Sequence, residues 1–144
     1  MRAISLWQPW ASAIACGFKL IETRGWQTRY RGMIAIHAAK TREAADAFLF
    51  DDTVREAFAG VGITEIGQLP FGAIVATARL VTCTRVERLA PDPLEKTLGD
   101  FAPGRWGWAL ADVQRLTTPL PWRGAQGFFE VADAALLELG ARLR

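Results

Sequence analysis

Leu6-Trp7-Gln8-Pro9-Trp10-Ala11-Ser12, Gly17-Phe18-Lys19-Leu20-Ile21-Glu22-Thr23-Arg24-Gly25-Trp26, Arg29-Tyr30-Arg31-Gly32 and Ile36-His37-Ala38-Ala39-Lys40 follow one another in the first third of the chain, and the rest reads outward from them. This stretch holds three of the six tryptophans, the only tyrosine and the only histidine. Up to Arg42 there are seven basic residues (Arg2, Lys19, Arg24, Arg29, Arg31, Lys40, Arg42) against the single acid Glu22. The whole chain carries a formal charge of only +2, so its basic charge is concentrated here. Cations interleaved with aromatics form the composition that holds phosphates while bases stack.

The spacing predicts a strand over Arg2 to Trp7, where Ile4 and Leu6 alternate with Ser5 and Trp7. Pro9 suits a first helical position, and Ala11, Ile14, Ala15 and Phe18 share one helix face. Gly17 is placed to end that helix in a left-handed conformation. Leu20 to Arg24 reads as a second strand with Glu22 and Arg24 on one face, one pleat apart. Met33 to Ala38 reads as a third, with Ile34 and Ile36 inward and His37 opposite them or at the strand's end.

Further on, Thr41 is placed to cap a helix carrying Ala44, Ala45, Phe48 and Leu49. Thr53 and Glu56 have the spacing of a capping box for a second short helix. Gly72 to Val86 is rich in strand-forming residues for so long that it is either one bent central strand or a hairpin with an unmarked turn. Asp92-Pro93 opens a few helical residues that end at Gly99. Trp106 to Leu116 is a strand with Trp106, Trp108 and Leu110 on one face. Thr118 to Gln126 is a loop, Gly127 to Val131 a last strand, and Asp133 caps a terminal helix with Leu136, Leu137, Leu139 and Leu143. The 144 residues make a single domain, residues 1–144, with no linker that would divide it. Strands before, between and after short helices describe a small mixed sheet curled into a barrel, with helices at its ends or sides.

Cys16 and Cys83 are too few for a disulfide framework and lack metal-ligand spacing, which suits a reducing, cytoplasmic setting. No charged-then-apolar leader precedes Leu6, and no apolar run approaches the ~20 residues of a membrane helix, so no membrane association is expected. Phosphate-loop and dinucleotide glycine patterns are absent, His37 alone does not make a zinc site, and neither Ser5 nor Ser12 has a nucleophile-elbow context. Neither a metal nor a cofactor is expected.

The charge cluster Lys19, Glu22 and Arg24 reads in two ways. It is a solvated strand edge with a weak ion pair, or it is a pocket mouth where Glu22 orients the cations toward an anionic group or a base edge. Trp7 and Trp26 are the stacking candidates, because polar and charged neighbours surround them. Gln8 and Ser12 either cap the first helix or read a base. Arg29, Tyr30 and Arg31 form a basic-aromatic turn, with Arg105 and Arg123 as weaker signals of the same kind. His37 is read first as a structural histidine and second as a general base.

Gly17-Phe18-Lys19-Leu20-Ile21-Glu22-Thr23-Arg24 fits the GxKxxExR signature of the ASCH domain, named for homology to activating signal cointegrator 1. The chain resembles bacterial and cointegrator members also in Leu6 to Ser12, in Trp26, Arg31-Gly32 and His37 to Lys40, in the Gly72-centred strand, and in Gly104-Arg105-Trp106-Gly107-Trp108 and Gly124 to Gly127. The resemblance implies an α+β fold, a PUA-like mixed β-barrel of five to seven strands with short flanking helices. It implies a pocket beside the first helix holding Lys19, Glu22 and Arg24, and a role in RNA metabolism or nucleic-acid binding. Some similar proteins are ribonucleases, and one group hydrolyses the acyl amide of N4-acetylcytidine with a lysine, a threonine three residues later and a distant glutamate. Here Glu22 stands at the threonine position and the distant glutamate has no identifiable match.

The leading expectation is a module for RNA or single-stranded nucleic acid with a base-sized pocket. Arg24, Arg29, Arg31 and Lys40 would hold phosphate, Trp7, Trp26 or Tyr30 would stack, and Gln8 and Glu22 would read edges. Ser12, Lys19 and Arg105 complete the expected interface. The alternative is a metal-independent hydrolase of RNA or of a modified nucleoside, with Lys19 as base or nucleophile, Glu22 positioning it and Arg24 stabilising developing charge. A tryptophan-rich face for a protein partner is the third reading.

Overall fold

The computed structural model describes residues 1–48 and 51–141, with side chains for all of these but 47 and 48; Leu49 and Leu143, expected on helix faces, lie outside the described residues. The strands are β1 (Arg2–Leu6), β2 (Ile21–Arg24), β3 (Gly32–Ala38), β4 (Ala73–Arg85), β5 (Trp106–Pro121) and β6 (Phe129–Glu130). The helices are α1 (Trp10–Ala15), α2 (Glu43–Phe48), α3 (Asp52–Ala59), α4 (Pro93–Thr97) and α5 (Asp133–Glu138). The strands form one sheet in the order β2-β5-β4-β3-β1-β6. The β1–β3 pair is parallel and the other pairs are antiparallel.

The fold is α+β with six strands, but the sheet is not closed into a barrel: among the described residues β2 and β6 are its two edges. With four and two residues, they are too short to supply a closing ladder. The sheet instead bends through register shifts along β4 and β5, where extra residues sharpen the local twist. Gly72 to Val86 is therefore the bent single strand and not the hairpin.

The strand expected to stop at Leu116 continues to Pro121. Its other neighbour, β2, pairs only with Trp106 to Ala109, so Pro119 and Pro121 lie where β5 is a sheet edge and the missing N–H costs no ladder bond. The last strand is correspondingly reduced to Phe129–Glu130.

Local chemistry sets the helix ends. Gly17 has φ +89° just beyond α1, a conformation that favours glycine. The cap of α3 is Asp51, which accepts from Val54 N at 3.1 Å, in place of the Thr53–Glu56 box. Asp92 caps α4 as its sequence suggests, accepting from Glu95 N at 2.8 Å. Asp133 lies inside α5 and accepts from the N-terminal ammonium at 2.5 Å.

The helix face read into α1 is really a buried helix. Ala11, Ile14 and Ala15 pack on the sheet with Ile4, Leu6, Ile34, Ile36 and Trp108, while Ala13 packs on the other side with Val54, Phe58 and Leu98. Small residues are what such a two-sided setting accommodates. On the opposite face of the sheet Ala3, Ala35, Ile74 and Leu116 pack with Val131 and with Leu136 of α5. Both faces of β3 are thus covered, which buries His37 opposite Ile36. Among the described residues no helix is long and apolar enough to cross a membrane.

Candidate functional site

The parallel strands β1 and β3 end side by side, with Leu6 opposite Ala38. The segments that follow, carrying Trp7 and Lys40, form one wall of a cleft of about 1230 Å³. Arg24 and Trp26 at the end of β2 contribute another side, and Trp122, Arg123 and Gly124 beyond β5 close it, with Ser5 and His37 at its base. Trp7 is 50% exposed and Trp26 37%. A second cleft of about 340 Å³ shares Ser5, Trp7 and Arg24 and adds Glu22, Asp100 and Arg105.

Strand alternation delivers Arg24 as expected. The Glu22 carboxylate accepts from Arg24 Nη1 at 3.1 Å and from Thr23 N at 3.0 Å, so one carboxylate orients the cation beside the cleft. The guanidinium also lies 5.6 Å from the Trp26 ring and 5.9 Å from that of Trp108. Trp26 is braced edge-on by Trp108 at 4.8 Å and Phe128 at 5.6 Å, and its carbonyl accepts from Trp108 Nε1 at 3.3 Å. An indole held in this way keeps its exposed surface without ordering cost when a flat ligand lands on it.

His37 bridges two segments. Its Nε2 is 2.8 Å from the Trp122 carbonyl and its Nδ1 is 2.8 Å from Ser5 Oγ. A carbonyl only accepts, so Nε2 carries the proton and, in the neutral ring, Nδ1 accepts from the serine hydroxyl. Burial holds the His37 pKa below its ordinary value, against a smaller opposite effect of the Trp122 carbonyl.

Lys19 is not where the resemblance implied. It lines neither cleft and is 0% exposed, with Nζ donating to Ile21 O at 2.5 Å and lying 3.8 Å from Glu95 Oε1. Burial lowers its pKa, opposed by the charges of Glu22 and Glu95. β2 begins only at Ile21, so Lys19 precedes the strand and is free of its alternation, and its ammonium turns toward a carboxylate on α4. The access needed by a base or phosphate ligand is missing there.

Gln8 and Ser12 are likewise buried and occupied. Gln8 Oε1 accepts from Ser12 N at 2.9 Å, while its Nε2 donates to Ser12 Oγ and Pro70 O, both at 2.7 Å. The N-cap of α1 is Pro9, which makes no side-chain cap bond; Gln8, just before it, takes up the first-turn Ser12 N–H, Ser12 lies within the helix, and neither buried side chain offers an edge to a base. Tyr30 is half-buried, its hydroxyl donating to Met33 O at 2.8 Å and its ring covered by Arg2 at 4.4 Å, which removes a stacking face. Arg29 and Arg31 are exposed in the β2–β3 connection but do not line the large cleft, and Arg31 donates to Thr28 O and Tyr30 O. Arg105 lies in the second cleft, donating to Thr23 O and Asp100 O, each at 3.1 Å.

Sequence reasoning missed Ser5, Trp122 and Gly124 as parts of the cleft, and Glu95 as the partner of Lys19. The basic-aromatic step Trp122-Arg123 and the Gly124 to Gly127 stretch were the available signals for the far wall. Among the described residues no group of three His, Cys, Asp or Glu side chains is placed to hold a metal ion.

The ASCH domain family model matches residues 4–131. Among solved structures the chain is similar to ASCH from Zymomonas mobilis, with TM-score 0.55 and 16% identity over 96% of this chain and 92% of that one. A tyrosine-to-phenylalanine variant of that protein aligns with the same TM-score and identity, covering 95% of its own chain. A serine-to-alanine variant gives 0.52 and 17%. No curated protein matches. At these identities the structural likeness carries the fold, an α+β arrangement of PUA-like type.

Proposed function

From the premise that this chain belongs to the ASCH domain family, we propose that it binds RNA or another single-stranded nucleic acid in the large cleft. Bases stack on Trp7 and Trp26, while Arg24, Lys40 and Arg123 neutralise phosphates. The observation that carries this reading is the convergence of two exposed indoles and three cations from four separate segments on one open cleft. Exposed indoles favour a strand whose bases are already unstacked, because a duplex hides the base faces they would meet. Phosphate-neutralising cations beside them supply affinity without sequence preference.

The Lys19-centred hydrolase is not adopted, since the buried ammonium has no route to a substrate in either cleft. Binding of a fluorescein-labelled ten-nucleotide uridine RNA, followed by anisotropy at fixed salt, tests the proposal. Trp7→Ala and Trp26→Ala are each expected to weaken binding by 1–3 kcal/mol, roughly 5- to 150-fold, with no change for Arg85→Ala, whose guanidinium sits over Trp106 away from the cleft. Unchanged affinity in both tryptophan variants would refute the stacking role.

A further inference from the structure

Ser5 and His37 are register partners on the parallel β1–β3 ladder, which fixes their side chains next to each other. The hydroxyl donates to Nδ1 at 2.8 Å, and the Trp122 carbonyl, accepting from Nε2 at 2.8 Å, fixes the tautomer that leaves Nδ1 its lone pair. The ring is 2% exposed and meets Phe129 edge-on at 5.6 Å, so it is held in place. Ser5 is half-buried and lines both clefts.

Gly124 lies directly over the pair. A Cβ there would come within 2.6 Å of His37 Cε1, 2.8 Å of Nδ1 and 3.2 Å of Ser5 Oγ, so a side chain at 124 would displace the ring. Arg24 lines the same two clefts as Ser5, with Nη1 3.1 Å from Glu22 Oε2 and 3.5 Å from the Ser5 main-chain carbonyl; its Nε and Nη2 make no hydrogen bond among the described residues.

We propose that Ser5 and His37 form a nucleophile–base pair that hydrolyses activated carboxylic esters of aromatic alcohols entering the cleft. Ser5 Oγ bonds to the acyl carbon as its proton passes to His37 Nδ1, and Arg24 holds the resulting oxyanion. The carbon–oxygen bond to the leaving alcohol breaks, and that oxygen takes the proton back from Nδ1. Water then adds to the acyl-serine and gives a proton to Nδ1. The acyl–Oγ bond breaks, Oγ recovers that proton, and a carboxylic acid leaves. The net reaction is ester plus water to alcohol plus acid. The orienting group is a carbonyl and not a carboxylate, so the imidazolium gains no ion pair and esters with good leaving groups are the expected class. Burial, which keeps the ring neutral, favours the base form at neutral pH.

This proposal is independent of nucleic-acid binding, and either can fail alone. The full chain is incubated with a fluorophosphonate probe and the labelled residue mapped by mass spectrometry, alongside p-nitrophenyl acetate hydrolysis. Labelling of Ser5 is expected, lost in Ser5→Ala and slowed about 100-fold or more in His37→Gln and Gly124→Ala. In Ser5→Cys, which keeps a nucleophile on the same strand, alkylation by iodoacetamide should be faster than in Ser5→Cys combined with His37→Gln. A folded wild type that never labels at Ser5, or equal rates with and without His37, would reduce the pair to a structural pin between β3 and the segment after β5 and overturn the proposal.

Discussion

Glu95→Ala is expected to destabilise the fold by about 3–5 kcal/mol, the usual cost of removing one partner from a buried ion pair. Glu95 is 7% exposed, and its two oxygens accept from Leu20 N and Ile21 N, each at 3.0 Å, while facing the Lys19 ammonium at 3.8 Å. Alanine leaves two backbone donors without an acceptor and the buried Lys19 charge with Glu22 as its remaining carboxylate. Lys19→Met should cost less, because it removes the charge and leaves Glu95 its two amide donors. Urea denaturation at pH 7 measures both. Burial lowers the Lys19 pKa from 10.5, so stability is lost as pH falls from that value toward the folded one. Loss of Glu95 extends the window to lower pH, and the deficit of Glu95→Ala against wild type should shrink as pH is raised. Equal stability of Glu95→Ala and wild type would show that this pair does not anchor β2.

Trp108→Ala is expected to cost a further class of interaction, about 3–5 kcal/mol for a large buried aromatic. Trp108 is fully buried, and it supports Trp26 both by ring contact and by the Nε1 bond to its carbonyl. RNA affinity should therefore fall in this variant at temperatures where circular dichroism still reports a folded chain. Trp108→Phe, which keeps a ring but not the donor, should lose less on both counts. Full affinity in folded Trp108→Ala would mean that Trp26 does not need its brace.

Much of the local chemistry was legible in the chain. The alternation of Leu20 to Arg24 placed Glu22 and Arg24 together, the polar neighbours of Trp7 and Trp26 marked them as stacking candidates and both are exposed, and Gly17 and Asp92-Pro93 marked helix ends. What escaped depends on partners distant in sequence. Lys19 is directed inward by a glutamate on α4, which no spacing around Lys19 announces. The Ser5–His37 pair exists only because β1 and β3 run parallel in one register. Tyr30 looks like a stacking residue until Arg2 and Phe128 are brought against it. Sheet closure also lay beyond the strand patterns, because it depends on how much ladder the edge strands retain.

The cleft is expected to hold a single strand by its phosphates and bases, and the salt dependence of wild-type binding to the ten-nucleotide RNA decides this. Three phosphate-neutralising cations, Arg24, Lys40 and Arg123, at roughly 0.7 released counterions each, predict a slope of about −2 for log affinity against log salt. No binding at low salt, or an affinity unchanged by salt, would show that the cleft does not hold nucleic acid through its cations.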